Sequence, residues 1–529
     1  MKINKIIIFV FIVLGLFGVF LRIYKIETVP PHLSNDEISI AYDAYSINHT
    51  QKDEHNDYLP IAFKSHNTYK APGYAYILAP LFSVFNNSNS TARLPSITFG
   101  FLTVIIIGLI TFELTNNKFI SILSGIILIS CPWHVITSRM VLEANIALFF
   151  LSLGIFLFLK SITNKKIFLI YLSIFSFVLS MYCYHTEWGL SPILLFTFFF
   201  IFHKKNKKNI FLPLLFFIIL ISPLFLNFIG NLNTSTRANT EIIWKGEAVT
   251  NSIQDHNIIF SPLIIIKAIF EKYLEHININ YLFFNGTGLL GSKNIFEQGL
   301  FLWPLIFPFF IGLFNIKKNI KKDFFLFFII FVLISPLISS LTHGSASLVR
   351  NLNTVLPYTI IISIGLYEFF SKSQLYKSIF LILLILISFF YFFSIYIFHY
   401  PIEKAEGFQG YRPIATFLKR DNKNYQHIYI DSKFGKQCQF VGVPHLYISY
   451  YQNMNAEFLQ NRFNDKLGMN FDKYTITQID WNNFDFKKGD LYIVSICNPP
   501  VPKILDKIKI TTKFTDASGN PAFELWEIK

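Results

Sequence analysis

Apolar blocks of about twenty residues recur along this chain, and that spacing leaves it few ways to fold. Eleven stand at roughly 6–23, 94–114, 119–137, 144–160, 167–184, 189–203, 209–229, 299–316, 324–341, 355–371 and 378–399. At ~1.5 Å rise per residue, a helix of about 20 apolar residues crosses the hydrocarbon core of a bilayer. Phenylalanine fills much of this length, with 62 Phe in 529 residues, and only 15% of the chain is charged. Soluble domains carry about 25% charged residues. The expected fold class is a polytopic α-helical membrane protein with about eleven transmembrane helices. The apolar run Gly73 to Phe85 is too short to span and reads as a re-entrant or interfacial helix.

The net charge of +14 invites a nucleic-acid reading, but its distribution excludes one. Sixteen lysines lie before the first block or in short links between blocks: Lys2, Lys5, Lys118, Lys160, Lys165, Lys166, Lys204, Lys205, Lys207, Lys208, Lys317, Lys318, Lys321, Lys322, Lys372 and Lys377. No basic stripe with interleaved aromatics is present. Lysine-rich short loops mark the cytoplasmic side. With the N-terminus inside, the five links Thr115–Lys118, Lys160–Lys166, Lys204–Lys208, Lys317–Lys322 and Ser371–Lys377 all fall on that side. The expected location is the cell (plasma) membrane, multi-pass, with the C-terminal region extracytoplasmic. Met1-Lys2-Ile3-Asn4-Lys5 and the run after it resemble a signal sequence without a small-residue cleavage site, so an uncleaved first helix is expected.

That topology puts Asn35–Pro95, Pro132–Glu143, Asn231–Gln298 and Thr342–Asn353 outside. Within the third of these, Ile264–Ile279 is amphipathic and is expected at the membrane surface. From Tyr400 to Lys529 the apolar blocks cease. Gln426–Asp431, Tyr474–Ile479 and Asp490–Ile496 read as strands, Leu446–Phe463 as a helix, and Asp516–Gly519 as a turn between two final strands. The expected domains are 1–399, a membrane catalytic domain with outer loops 24–93 and 230–298, and 400–529, a small extracytoplasmic α/β domain. Cys438 and Cys497 share this tail, though spacing alone does not pair them.

The polar stretch from Asn35 to Pro95 concentrates the residues that could do chemistry. Asp36 and Glu37 follow the first block, where a carboxylate pair can take a proton from a hydroxyl. Ser34-Asn35-Asp36-Glu37 is equally the pattern of a helix N-cap. Lys70 precedes Ala71-Pro72 and reads as a phosphate contact or a snorkelling interface lysine. Arg93, at the outer mouth of the second block, reads as a bidentate phosphate clamp or an interface anchor. Arg139 and Glu143 stand four apart, the spacing of a salt bridge on one helix face, and are expected to position a loop. His185, Glu187, His343 and Arg350 mark two further outer turns, and Arg350 reads as a third phosphate contact. A His–Glu–His metal site can be drawn from them, but its spacing is not diagnostic. No metal ligand and no cofactor are assigned, with a divalent metal left open.

Two carboxylates and several cations on one membrane face suit transfer from a polyprenyl-phosphate sugar: a base activates the acceptor hydroxyl and cations hold the departing phosphate. At these residues the chain resembles the bacterial glycosyltransferases related to protein O-mannosyltransferases and to the aminoarabinose transferase of lipid A, membrane enzymes of the GT-C fold. The resemblance rests on Asp36-Glu37, Tyr69-Lys70-Ala71-Pro72, Arg93-Leu94-Pro95-Ser96, Ser138-Arg139 with Glu143, and the Lys52-Asp53-Glu54-His55 block. It covers roughly the first 200 residues and extends around His343–Pro357. It implies that Asp36 is the catalytic carboxylate and that Lys70 and Arg93 contact the donor phosphate. Lys-Pro-Pro is common where Lys70-Ala71-Pro72 stands here, and protein mannosyltransferases tend to have Asp at Glu143 and carry a β-trefoil insert with no room here. These departures bear on the acceptor, which stays open among glycan, lipid and protein. Membrane lipid is the other expected partner, and nucleic acid is not one. The alternatives are a lipid-linked glycan transporter or flippase and an O-antigen-type polymerase or ligase. A transporter would show repeated halves with ionisable groups near mid-membrane.

Overall fold

The computed structural model describes residues 5–65, 68–206, 211–230, 241–255, 261–286, 298–344, 346–403, 410–421, 425–434, 438–440, 443–461, 463–464, 468–482, 485–499, 501–515 and 521–529. Its contacts divide the chain into two compact units. One comprises Met1–Tyr24, Ile61–Gly73 and Pro95–Ile395, the other Lys25–Pro60, Tyr74–Leu94 and Tyr396–Lys529. This grouping differs from a cut at 399/400, because most of residues 25–94 belong with the tail.

The first unit is helical. Its helices include α1 (Lys5–Ile23), α5 (Lys118–Ser130), α6 (Pro132–Thr137), α7 (Glu143–Asn164), α8 (Phe168–Cys183), α9 (Glu187–Asn206) and α10 (Phe211–Gly230). It also holds most of α4 (Asn89–Thr115), then the helices Ile306–Asn319, Lys322–Ile334, Val355–Lys372 and Leu375–Ser394. Helix is present within the described residues of each of the eleven apolar blocks. Among the described residues, five segments are long and apolar enough to cross a membrane: Asn89–Thr115, Glu143–Asn164, Lys322–Ser340, Leu352–Lys372 and Leu375–Ile402. The block at 119–137 is two helices rather than one, because Pro132 has no N–H to continue α5 and instead opens α6.

Between apolar helices in lipid, close packing replaces the hydrophobic drive. Helices Ile306–Asn319 and Val355–Lys372 meet at glycines: a Cβ on Gly365 would strike the Pro308 carbonyl, and one on Gly312 the Ile361 carbonyl. Rings fill wider gaps, with Phe198 stacked on Phe158 at 4.0 Å and on Phe327 at 4.3 Å between centroids. Two glutamates engage the lysine-rich links. Glu113 accepts from Lys160 at 2.7 Å, and Glu368 from Lys318 and Lys372 at 2.8 and 2.9 Å.

The second unit centres on a seven-stranded mixed sheet. Its strands are β3 (Ile428–Asp431), β6 (Phe463–Asn464), β7 (Gly468–Phe471), β8 (Tyr474–Thr477), β9 (Leu491–Ser495), β10 (Ile508–Thr515) and β11 (Pro521–Ile528), in the order β10-β11-β9-β3-β8-β7-β6. β3 runs parallel to β8 and β9, and the other pairs are antiparallel. The expected strands at 426–431, 474–479 and 490–496 are thus present. The expected turn at 516–519 lies outside the described residues. The expected helix Leu446–Phe463 is two pieces, Pro444–Gln452 and Glu457–Gln460, divided where Asn453 takes a left-handed backbone (φ 57°). Cys438 and Cys497 form a disulfide. The unit also holds α2 (Asn35–Thr50), which packs on the helix Pro444–Gln452, and most of α3 (Gly73–Leu78).

Candidate active site

Helix α2 begins with a complete capping box. Ser34 Oγ accepts from Glu37 N at 3.3 Å, and Glu37 Oε2 accepts from Ser34 N at 2.9 Å. Two of the four amides that a helix start leaves unpaired are thereby satisfied. Glu37 is buried and holds the turn. Asp36 is exposed, and its side chain makes no hydrogen bond or ion pair among the described residues. The capping reading of the pair is met by Glu37, and Asp36 is its exposed carboxylate. A carboxylate in the first turn of a helix is also favoured by the helix dipole.

Arg93, expected at the donor phosphate, is held by backbone carbonyls in this structure. It is fully buried, and its guanidinium donates to Ile26 O at 2.7 Å, Pro30 O at 3.0 Å and His32 O at 2.9 Å. These carbonyls belong to the loop that leads to Ser34. Arg93 thus holds the loop, and a phosphate taking the same donors would compete with these three carbonyls. Burial, and then the Arg93 charge, push His32 down to about 4, so its ring is neutral at pH 7. Beside it, Glu27 accepts from Ser90 N at 2.7 Å at the start of α4 and pairs with Arg412 at 2.5 Å.

Lys70 ends the hairpin of β1 (Phe63–Ser65) and β2 (Thr68–Lys70), opposite Phe63, and is buried. The hairpin is seated on the turn after α8. His185 Nε2 lies 3.2 Å from Tyr69 O, and a Cβ on Gly73 would meet Cys183 Cα at 3.0 Å and Tyr182 O at 3.1 Å. Two predicted residues, Lys70 and His185, are thus brought to one place. Below that turn Trp188 donates to Met181 O at 2.8 Å. Trp188, Met181, Phe217, Leu224 and Phe225 line a groove of about 270 Å³ that is almost entirely apolar.

Arg139 and Glu143 do not share a helix face. Residues 138–142 form a turn and an extended stretch between α6 and α7, so four-residue spacing no longer sets direction there. Arg139 donates to Leu21 O and, at 2.9 Å, to Tyr24 O, carbonyls at the end of α1. Arg22 does related work, donating to Ile129 O at 2.6 Å and contacting His134 Nδ1 at 2.8 Å. Glu143 is buried as the first residue of α7.

Arg350 pairs with Glu241 at 2.7 Å and donates to Thr342 Oγ1 at 3.2 Å and His343 O at 3.3 Å. His343 N donates to Glu241 O at 2.9 Å. These two predicted residues meet, and Glu241 is the partner that sequence did not supply. Arg350 and Glu241 are 28% and 29% exposed. Glu187 is occupied by Asn353 at 2.6 Å and Ser191 at 3.1 Å. Among the described residues no group of three His, Cys, Asp or Glu side chains is placed to hold a metal.

This arrangement can be set beside known proteins. Residues 12–181 match the family model described as dolichyl-phosphate-mannose-protein mannosyltransferase. The apo crystal structure of ArnT from Cupriavidus metallidurans superposes with a TM-score of 0.58 at 10% identity, covering 98% of this chain and 97% of that one. The chain has the GT-C fold. ArnT bound to undecaprenyl phosphate matches over the same shares with a TM-score of 0.55 at 10% identity. The apo oligosaccharyltransferase of Archaeoglobus fulgidus matches at 0.50 with 10% identity, over 84% of this chain and 64% of that one. No curated protein matches by sequence. The chain thus resembles the mannosyltransferase and aminoarabinose-transferase superfamily in sequence over its first third and in fold over nearly its whole length.

Within this GT-C fold, sequence reasoning missed a buried acidic group in the Lys52–His55 block. Asp43, Asp53 and Glu54 are all buried, and Glu54 N approaches Asp43 Oδ1 at 3.5 Å. Glu54 lies 3.7 Å from His55 Nδ1 and 3.7 Å from His445 Nε2. Burial pushes Asp53 up to about 6, although the amides of Asp57 and His55 donate to it and oppose the shift. Two adjacent acids were the available signal, but nothing local says that they turn inward.

Proposed function

We propose that this protein is a membrane glycosyltransferase that moves a sugar from a polyprenyl-phosphate-linked donor to an acceptor hydroxyl on the outer face of the membrane. The acceptor oxygen bonds to the anomeric carbon as the bond from that carbon to the phosphate oxygen breaks. Asp36 takes the hydroxyl proton, and polyprenyl phosphate leaves. The observation that carries this reading is the split of the Asp36–Glu37 pair, one carboxylate spent on the capping box and the other exposed on a fixed turn. Lys70 supplies the first contact to the phosphate and Arg350 a second, reached by exchange with Glu241. His185 and His343 support these two contacts, beside Tyr69 and Glu241 respectively, while Arg139 and Glu143 are positioning residues of the loop between α6 and α7. The groove by Trp188 suits an apolar chain. That ArnT was solved with undecaprenyl phosphate supports a donor of this class. The N-terminus is cytoplasmic and the tail extracytoplasmic.

The test is transfer from a synthetic polyprenyl-phosphate sugar by the purified protein. Lys70→Ala should lower use of the donor more than use of the acceptor. Unchanged donor affinity and turnover in that variant would make Lys70 an interface anchor. Absence of transfer by the wild-type chain would remove the reading.

A further inference from the structure

We infer that Tyr447, on the tail helix Pro444–Gln452, is a positioning residue for Asp36, so that the C-terminal region is part of the catalytic apparatus. This rests on the reading of Asp36 as the base. The Tyr447 hydroxyl donates to Leu33 O at 2.6 Å, with both residues buried. Leu33 directly precedes Ser34, the cap on which the Asp36 turn is built. Arg93 holds the carbonyl of His32, one residue earlier. The backbone entering the turn is thus fixed by two donors at consecutive carbonyls, and the capping box fixes it from within.

Tyr447 is itself held in place. Its ring stacks on Tyr411 at 5.8 Å between centroids, and Tyr411 lies against Phe523 of β11 at 5.3 Å. The sheet is therefore linked through two rings to the turn. Burial, followed by the charges of Tyr451 and Glu37, raises the Tyr447 hydroxyl well above its ordinary value, so it remains a donor at any working pH.

Other bonds between the tail and α2 provide an internal control. Tyr45 donates to Met454 O at 2.9 Å. Gln460 Nε2 donates to Ser46 Oγ at 3.0 Å and Thr50 Oγ1 at 2.7 Å, at the far end of α2 from Asp36. If the tail only stabilised α2, losing Gln460 and losing the Tyr447 hydroxyl would have similar consequences. A positioning role confines the catalytic effect to Tyr447.

The experiment compares Tyr447→Phe and Gln460→Ala in the full chain, reconstituted in lipid. Turnover and KM are measured with a synthetic polyprenyl-phosphate sugar, and amide exchange is followed across residues 33–40. Misplacing a reacting group by ~1 Å can cost on the order of 10²-fold. Tyr447→Phe keeps the ring and should lower kcat about tenfold with donor KM within about twofold, since only part of that displacement is expected. Exchange at Glu37 and Ile38 should rise about fivefold, the effect of one lost hydrogen bond. Gln460→Ala should leave kcat near wild type. Unchanged kcat in Tyr447→Phe, or an equal fall in both variants, would overturn the proposal. If the wild-type chain transfers no sugar, it is the glycosyl-transfer reading that fails. The exchange data then decide the Tyr447 contact alone: a rise supports it and no change overturns it.

Discussion

Replacing Arg93 by alanine separates a structural arginine from a ligand-binding one. The side chain is fully buried and donates to three carbonyls at 2.7, 3.0 and 2.9 Å. Hydrogen bonds from a charged donor contribute about 1.5–3 kcal/mol each, and a buried carbonyl left without a partner costs about 1–3 kcal/mol. Water entering the space would recover part of this, so Arg93→Ala should destabilise by at least about 3 kcal/mol. Arg93→Lys keeps the charge and three donors but loses the planar fork, and should recover only part of the loss. Thermal unfolding in detergent, followed by circular dichroism, reads the stability. Proteolysis of residues 24–34 reads the loop. Arg93→Ala should melt several degrees below wild type and be cut faster in that loop. A variant that melts with wild type while its donor KM rises many-fold would refute this assignment and restore Arg93 as a phosphate contact.

Three other outcomes follow from the same structure. Asp53 has its pKa raised from 3.8 to about 6 in the fold, so its protonated form is the favoured one there; this contribution to stability is full below 3.8 and lost as pH rises through about 6. Melting temperature should therefore climb as pH falls from 7 toward 5, and Asp53→Asn should flatten that slope. Glu37→Gln preserves the capping-box geometry, since glutamine serves at that position, and should leave both melting and transfer close to wild type. Reporter fusions after Lys208 and after Lys322 should report cytoplasm and one at Lys529 the outside, and any reversed signal would show the spans miscounted.

The apolar blocks could be read from the sequence because each is a long local signal, and helix stands in the described residues of all eleven. The strands at 428–431, 474–477 and 491–495 were legible for the same reason, as short β-branched and aromatic runs. Arg93 and Arg139 were not, since sequence shows a charge but not the carbonyls that surround it. Both were read as surface or helix-face residues, and both are buried on backbone oxygens far along the chain. The Arg139–Glu143 spacing does not set a shared face because residues 138–142, between α6 and α7, are a turn and an extended stretch. The link between the tail and α2 was also invisible. It depends on Tyr447, Met454 and Gln460 meeting residues some 400 positions earlier, and no periodicity records that. Asp36 and Glu37 were legible as a pair, and the resemblance pointed to Asp36; the capping geometry adds that Glu37 is the one held in the turn.

Asp36→Asn is the most direct test of the central claim. The amide keeps the shape of the side chain and its place in the first turn, but it cannot take a proton. Loss of a general base typically costs about 10²–10⁴-fold in rate. The measurement is the initial rate of sugar transfer from a synthetic polyprenyl-phosphate donor by the full chain in lipid, with donor binding measured alongside. Asp36→Asn should fold, bind donor, and lose at least about a hundredfold in rate, while Glu37→Gln loses far less. Near-normal transfer by Asp36→Asn would contradict the account, and an inactive Glu37→Gln beside it would move the base to Glu37.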